Sequence, residues 1–189
     1  PGARANFTLL FETTAGHRQP SGAAHDRRMW FEVEGYDASG KLIYSEGKIE
    51  DGALEPEPGA HPCMMRDVIL DEHGELTHMF WEAADRNYLD ETVPTAVLGM
   101  PHVKSCYFSP RLVQPIQRLQ LRLRMRAMGL DVLSDLVASG HLADDVPTRM
   151  PTLAVDSWHA DYGKRQFMAG RATSGVRAHA RTHASHSPP

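Results

Sequence analysis

An alternation of leucine with arginine constrains the fold of this chain more than any other stretch. Its apolar positions are Leu119, Leu121, Leu123 and Met125, and its polar positions are Gln120, Arg122, Arg124 and Arg126. A period of two is typical of a β-strand that buries one face and leaves the other polar. Residues 116–126 are therefore predicted to form a strand that covers a core with its leucines and carries a basic row opposite.

Two hairpins are predicted before this strand. In the first, residues 28–36 alternate in part between apolar side chains and glutamates, and a second β-prone run at 41–49 follows an Asp-Ala-Ser-Gly turn. The second has strands at 64–70 and 75–81 around a turn at 71–74. Three further short strands are expected at 6–13, 93–98 and 106–108.

The remaining segments complete the predicted architecture. Residues 130–142 switch to helical spacing, with Gly140 as the stop signal, and residues 144–155 are an extended segment broken by prolines. From residue 156 onward the chain is rich in Ala, Arg, Ser, His and Pro and has little apolar content. We expect a mostly β protein, an antiparallel, immunoglobulin-like β-sandwich with one short helix over residues 1–155, followed by an extended or disordered tail over 156–189.

Charge and cysteine content exclude several classes of function. The net charge of −4 gives no general attraction to nucleic acid or to an anionic membrane, and no apolar run approaches the ~20 residues that span a bilayer. The chain starts at Pro1, so we expect a processed, trimmed or partial sequence. Cys63 and Cys106 form either one disulfide or two buried thiols, and no Cys-x-x-Cys-His motif is present to attach haem covalently.

One histidine lies in a short loop punctuated by glycine and proline. Gly16 and Gly22 give the loop around His17 backbone freedom, and Pro20 stiffens it. His17 is then either a structural loop residue that hydrogen-bonds the backbone or a metal ligand, an axial imidazole for a haem iron that is held elsewhere. His25 is a second candidate for cofactor binding, and a copper or zinc site at the pair lacks further ligands at suitable spacing.

Several short motifs resemble those of one protein family. They are Ala-Gly-His-x-x-Pro-Ser-Gly at 15–22, Arg-x-Trp-Phe-Glu-Val at 28–33, Asp-Ala-Ser-Gly-Lys-Leu-Ile-Tyr at 37–44, the alternating run 119–126, and Met-Pro-Thr at 150–152. Together they resemble the haem-free β-sandwich module that lies C-terminal to the haem-binding part of many bacterial multihaem c-type cytochromes. The resemblance covers about residues 6–155, with Ser21 where that family usually has threonine.

The resemblance implies a non-catalytic subunit or domain of a multihaem electron-transfer complex in the periplasm or outside the cell. Haem c would be held by a partner, a multihaem c-type cytochrome or another electron-transfer subunit, or by a missing part of the chain. His17 would complete the coordination of one haem.

Two other questions stay open at this level. Four arginines form either a solvated sheet face or a docking surface for haem propionates or an acidic partner: Arg118, Arg122, Arg124 and Arg126. The alternative functions are a structural or adhesive sandwich subunit without a redox role and a small metalloenzyme that uses His17 and His25. No catalytic residue is predicted.

Overall fold

A computed structural model gives the arrangement of most of the chain. It describes residues 3–4, 7–13, 17–55, 63–86, 102–161, 166–168 and 176–182. Its strands are β1 (Ala3–Arg4), β2 (Phe7–Thr13), β3 (Arg28–Tyr36), β4 (Leu42–Glu46), β5 (Ile69–Leu70), β6 (Leu76–Thr77), β7 (Asp85–Arg86), β8 (His102–Phe108), β9 (Arg111–Leu112), β10 (Arg118–Arg126), β11 (Leu153–Asp161), β12 (Gln166–Met168) and β13 (Val176–Thr182). Its helices are α1 (Leu130–Ala138) and α2 (Val146–Arg149).

Two antiparallel sheets form the body of the fold. The larger has the strand order β12-β11-β10-β3-β4, and the smaller has the order β13-β2-β8. The strands predicted at 6–13, 28–36, 41–49 and 116–126 are confirmed as β2, β3, β4 and β10. The mostly β fold class, an antiparallel sandwich with a short helix, is confirmed as well.

The core lies between these sheets and follows the alternation in the sequence. The leucines of β10 at 119, 121 and 123 are buried, as are the apolar positions of β3 and β2 that face them. The members of this core are Phe7, Leu9, Phe11, Met29, Phe31, Val33, Met65, Cys106, Phe108, Leu119, Leu121, Leu123, Trp158 and Ala160. A one-residue slip of β10 would turn its arginines into this core, so burial fixes the register of the strand.

Helix α1 follows the sequence prediction, whereas α2 departs from it. Helix α1 ends at Ala138, just before the predicted stop signal at Gly140. Gly140 has a φ of +76°, and the amide of His141 donates to Leu136 O at 2.9 Å, which closes the last turn. The proline-broken extended segment predicted at 144–155 is confirmed at 153–155, where β11 begins, and is wrong at 146–149, where α2 forms. A proline in the first turn of α2 is compatible with a helix start.

The second predicted hairpin is shorter than expected. The turn at 71–74 is confirmed, and Asp71 Oδ1 accepts hydrogen bonds from the amides of His73 and Glu75 at 2.8 and 2.9 Å. Its strands β5 and β6 contain only two residues each, and residues 78–82 form a turn instead of a strand. The strand predicted at 106–108 is the end of β8, whereas 93–98 lies outside the described residues.

The C-terminal part of the chain contributes strands to both sheets. Strand β11 crosses the predicted boundary at residue 155 and pairs with β10, and β13 pairs with β2 along seven residues. Residues 153–161 are therefore an integral part of the larger sheet. The division into a sandwich over 1–155 and a tail over 156–189 stays a prediction.

The two cysteines form a disulfide. Cys63 and Cys106 are bonded with their Cα atoms 5.9 Å apart, and Cys106 lies in the core on β8. The bridge joins the smaller sheet to the segment before β5. Of the two alternatives that the sequence left open, the structure has the disulfide.

The double substitution Cys63→Ser and Cys106→Ser should lower the free energy of unfolding by about 4 kcal/mol, the loop-closure value for a bridge of this span. The bridged residues are 43 positions apart in sequence, so the unfolded chain gains considerable freedom when the bridge is removed. Urea unfolding measures the difference, with reductant added to both proteins as the control. If reductant lowered the free energy of unfolding of the double variant as much as that of the parent, the disulfide between Cys63 and Cys106 would be contradicted.

Candidate ligand loop and its charged support

His17 lies exposed near the start of its loop. Its ring Nδ1 lies 3.0 Å from Arg18 O, to which it donates when it carries the proton, and Gln19 Nε2 lies 3.3 Å from the same nitrogen. In the tautomer with hydrogen on Nδ1, this nitrogen donates to Arg18 O and the lone pair is on Nε2; in the other tautomer, Nδ1 accepts a hydrogen bond from the Gln19 amide. The first tautomer has the arrangement by which proteins orient an imidazole whose other nitrogen binds a metal.

The loop after His17 is held by backbone contacts. Pro20 is buried, and the guanidinium of Arg27 donates to Ser21 O. Gly22 has a φ of +75°, which confirms its predicted role as a conformationally free position, while Gly16 lies outside the described residues. The amide of Asp67 donates to Ala24 O at 3.0 Å and fastens the loop to a neighbouring segment.

His25 is placed differently from His17. Its Nε2 lies 3.5 Å from Asp26 Oδ1, and its side chain is mostly buried. Among the residues that the structure describes, no three His, Cys, Asp or Glu side chains are grouped so as to hold a metal ion. The imidazole at 25 thus faces a carboxylate, and the exposed imidazole of the loop is that of His17.

A buried arginine connects the loop to helix α1. Arg28 is fully buried; it donates to His25 O at 2.6 Å and to both oxygens of Asp131 at 2.9 and 2.8 Å. Although burial opposes it, the Arg28 guanidinium lowers the pKa of the Asp131 carboxyl. A Cβ at Gly129 would lie 2.3 Å from Asp131 Oδ1 and 2.8 Å from this guanidinium, so a side chain there would have to displace the ion pair.

A second buried arginine lies directly opposite the first. Arg126 on β10 pairs in register with Arg28 on β3, and both are fully buried. Its guanidinium donates to four oxygens, those of Glu55 Oε1 (2.8 Å), Ala53 O (2.6 Å), Glu50 O (2.9 Å) and Thr152 Oγ1 (2.9 Å). Glu55 Oε2 accepts the amide hydrogen of Leu130 at 3.1 Å, so this carboxylate also caps the N-terminus of α1.

Two more arginines of the predicted row are paired with carboxylates of β3. Arg122 donates to Glu32 and, at 3.0 Å, to Glu34, and Arg124 Nε lies 3.3 Å from Glu32 Oε2. Arg118 is exposed, with its guanidinium 4.4 Å from the ring centre of Tyr36.

This pairing changes the interpretation of the four arginines. Arg126 lies inside the fold and takes no part in an exposed surface, because its charge is used to hold Glu55. A docking role for Arg118, Arg122 and Arg124 stays a prediction. The sequence contained the signal for the pairing, since Glu-Val-Glu in one strand and Arg-Leu-Arg in another place opposite charges on the same faces.

Glu55 and Asp131 were not singled out by the sequence reasoning. In sequence, Glu55 lies within the run 51–62 that is rich in proline and glycine, and Asp131 is the second residue of a helix, where acidic residues are common. Neither pattern indicates that the carboxylate neutralises a buried guanidinium 71 or 103 residues away in sequence.

Comparisons with known proteins add a likeness of fold. No family model matches the sequence, and no curated protein matches it. Among solved structures, the chain is similar to a penta-heme cytochrome c552 from Thermochromatium tepidum, with a TM-score of 0.57 and 11% identity. The similar region covers 82% of this chain and 35% of the cytochrome chain, so this protein spans about a third of that chain's length. No helix in the described part is both long and apolar enough to cross a bilayer.

Replacing Glu55 by glutamine should lower the free energy of unfolding by about 3–5 kcal/mol, because it leaves the buried Arg126 charge without its counter-ion. The matched control is Asp145→Asn, which removes the exposed partner of Arg149 at 3.1 Å and should change stability by less than about 1 kcal/mol. Urea unfolding at neutral pH compares the two. Equal effects would show that the Glu55 carboxylate does not hold Arg126.

Asp131→Asn should destabilise the protein in a pH-dependent way. Because the pKa of Asp131 is lowered in the folded state, its stabilisation is present above the unfolded pKa of about 3.9 and is lost as the pH falls towards the folded pKa. The difference in unfolding free energy between parent and variant should therefore be largest near pH 7 and shrink below pH 4. A difference that stays constant between these two pH values would contradict the ion pair with Arg28.

Proposed function

We propose that this chain is the haem-free β-sandwich part of a multihaem electron-transfer complex, in which His17 supplies an axial nitrogen to a haem that another polypeptide stretch holds. The observation that carries the proposal is the exposed imidazole of His17, whose Nδ1 lies 3.0 Å from Arg18 O. The likeness of the fold to part of a penta-heme cytochrome supports it, as do the motifs around His17.

The donor groups of the chain suit one axial ligand and do not suit haem attachment. Cys63 and Cys106 are bonded to each other, so neither thiol is available to form a thioether to haem c. A neutral imidazole is a common axial ligand of haem iron, and the iron supplies the electron-transfer chemistry when it is bound. Haem c would then belong to a partner cytochrome, to another electron-transfer subunit or to a further part of a longer polypeptide.

The task of this chain in such a complex is to orient and tune the imidazole. When the proton is on Nδ1 and is donated to Arg18 O, Nε2 has the lone pair that a ligand to iron requires. The buried Pro20 and the contacts of Arg27 and Asp67 hold the following loop against the sandwich. His25, which faces Asp26, is the less suitable of the two candidate histidines.

The disulfide supports a place outside the cytoplasm. Disulfides persist in the periplasm and outside the cell, whereas cytosolic thiols are kept reduced. A bridge between the segment before β5 and β8 therefore favours a periplasmic or extracellular protein. Multihaem c-type cytochromes are the partners that the sequence resemblance suggests for such a location.

His17→Ala in the native complex should shift the Soret band and convert part of the haem from a low-spin to a high-spin spectrum, because one axial nitrogen is lost. The matched control is His73→Ala, which removes an exposed imidazole from the turn at 71–74. His25→Ala should also leave the spectrum unchanged. Absorption spectroscopy of the complex purified from its native host makes the comparison.

Two outcomes would contradict the proposal. A Soret band that is identical in the parent and the His17→Ala complex would remove the ligand role. A native particle without haem absorbance would favour the alternative, a structural or adhesive β-sandwich subunit without a redox role.

A further inference from the structure

Two adjacent aromatic side chains are exposed on the turn after β6. Phe80 and Trp81 are 70% and 68% exposed, and their rings meet edge to face with centroids 4.9 Å apart. Neighbouring Leu76 is also exposed. Large aromatic side chains are enriched in the centres of protein interfaces, where a few of them supply most of the binding energy.

The turn that carries the two rings is closed by its own polar groups. The hydroxyl of Thr77 donates to Glu82 Oε2 at 2.9 Å and accepts the amide hydrogen of Met79 at 3.1 Å. The amide of Glu82 donates to Met79 O at 2.9 Å. These bonds fix the backbone of the turn that carries the rings, which reduces the entropy lost on binding.

The turn is also fastened to the body of the fold. His78 Nε2 lies 3.5 Å from Asp131 Oδ2 and 3.7 Å from Asp135 Oδ2, so the turn leans on helix α1. On its other side, the amide of Ala84 donates to Leu70 O at 2.8 Å, next to the buried Ile69. The aromatic pair is thus presented on a fixed base.

The segment that carries the pair is acidic in sequence. Residues 67–84, which we name the aromatic lobe, contain no lysine or arginine and carry five carboxylates: Asp67, Asp71, Glu72, Glu75 and Glu82. Two arginines flank this segment, the buried Arg66 and Arg86, which pairs with Ile69 of β5. Glu72, Glu75 and Glu82 are exposed. The hydrogen bond from the Ala84 amide to Leu70 O joins the end of the turn at 78–82 to the start of the turn at 71–74, so the two turns of the lobe are adjacent.

We infer that the aromatic lobe is a docking surface for a protein partner that presents an apolar pocket ringed by lysine and arginine. The pocket would receive Phe80 and Trp81, and the basic ring would complement the carboxylates of the lobe. The same carboxylates oppose insertion of the rings into an anionic membrane surface. The inference does not require the partner to carry haem and goes beyond the proposed role of His17.

Site-specific photo-crosslinking in the native host tests the inference. A photoreactive phenylalanine replaces Trp81 in the full chain, and in the matched control it replaces Val113, which is 94% exposed elsewhere on the surface. Mass spectrometry of the crosslinked peptides is expected to find one protein surface, on another chain or on a further part of the same polypeptide, that contains apolar residues flanked by lysine or arginine. Crosslinks that are the same from both positions, or that fall on an acidic surface, would overturn the inference.

Binding of the purified, crosslink-identified polypeptide gives a second readout. Trp81→Ala should weaken it about thirtyfold, as expected for an interface hot spot, and Val113→Ala should leave it unchanged. The affinity should also fall as salt rises, because charge complementarity is screened. Urea unfolding checks that Trp81→Ala remains folded.

Two further results would overturn the inference, and one separates it from the haem role. Equal affinities for the two variants, or binding to vesicles of phosphatidylcholine and phosphatidylglycerol that is lost in Trp81→Ala, would show that no such protein pocket is used. A crosslinked partner with a basic pocket but no haem would support the docking surface, while the His17→Ala spectrum decides the haem role independently.

Discussion

Two guanidinium groups that lie opposite each other inside the fold organise the rest of this structure. Arg28 and Arg126 are a cross-strand pair, both fully buried, and like charges in this position repel each other. The arrangement is stable only because each arginine has its own carboxylate, Asp131 for the first and Glu55 for the second. Both carboxylates also contact the first turn of α1, so the helix sits where the two charges are neutralised.

The position of the candidate ligand loop depends on this charge arrangement. Arg28 donates a hydrogen bond to His25 O, within the loop that follows His17, and the amide of Gly129 donates to Asp26 O at 2.7 Å. The loop is therefore tied to the start of α1 by a buried ion pair and by a backbone hydrogen bond. An axial ligand needs a defined direction, and contacts between distant segments supply it better than the loop's own residues do.

The sequence predicted the features that depend on local periodicity. The leucines of β10, the hairpin of β3 and β4, and the helix after residue 130 follow from patterns within about ten residues, and the structure confirms them. The burial of Arg126 is not predictable in this way, because its alternation with leucine is the same as that of Arg122, which stays partly exposed. The difference comes from Glu55 and the loop before it, which cover one end of the sheet. The exposure of Phe80 and Trp81 was not predicted either, because an apolar run next to a turn is typical of a strand.

The two surfaces singled out in this protein converge on one carboxylate. Asp131 holds Arg28, which supports the His17 loop, and its Oδ2 also lies 3.5 Å from His78, which supports the turn with Phe80 and Trp81. Arg66 lies 3.6 Å from the same oxygen, and its buried charge adds to the cost of moving the carboxylate away. Asp131 therefore links the support of the His17 loop to the support of the aromatic lobe, and losing its carboxylate would weaken both.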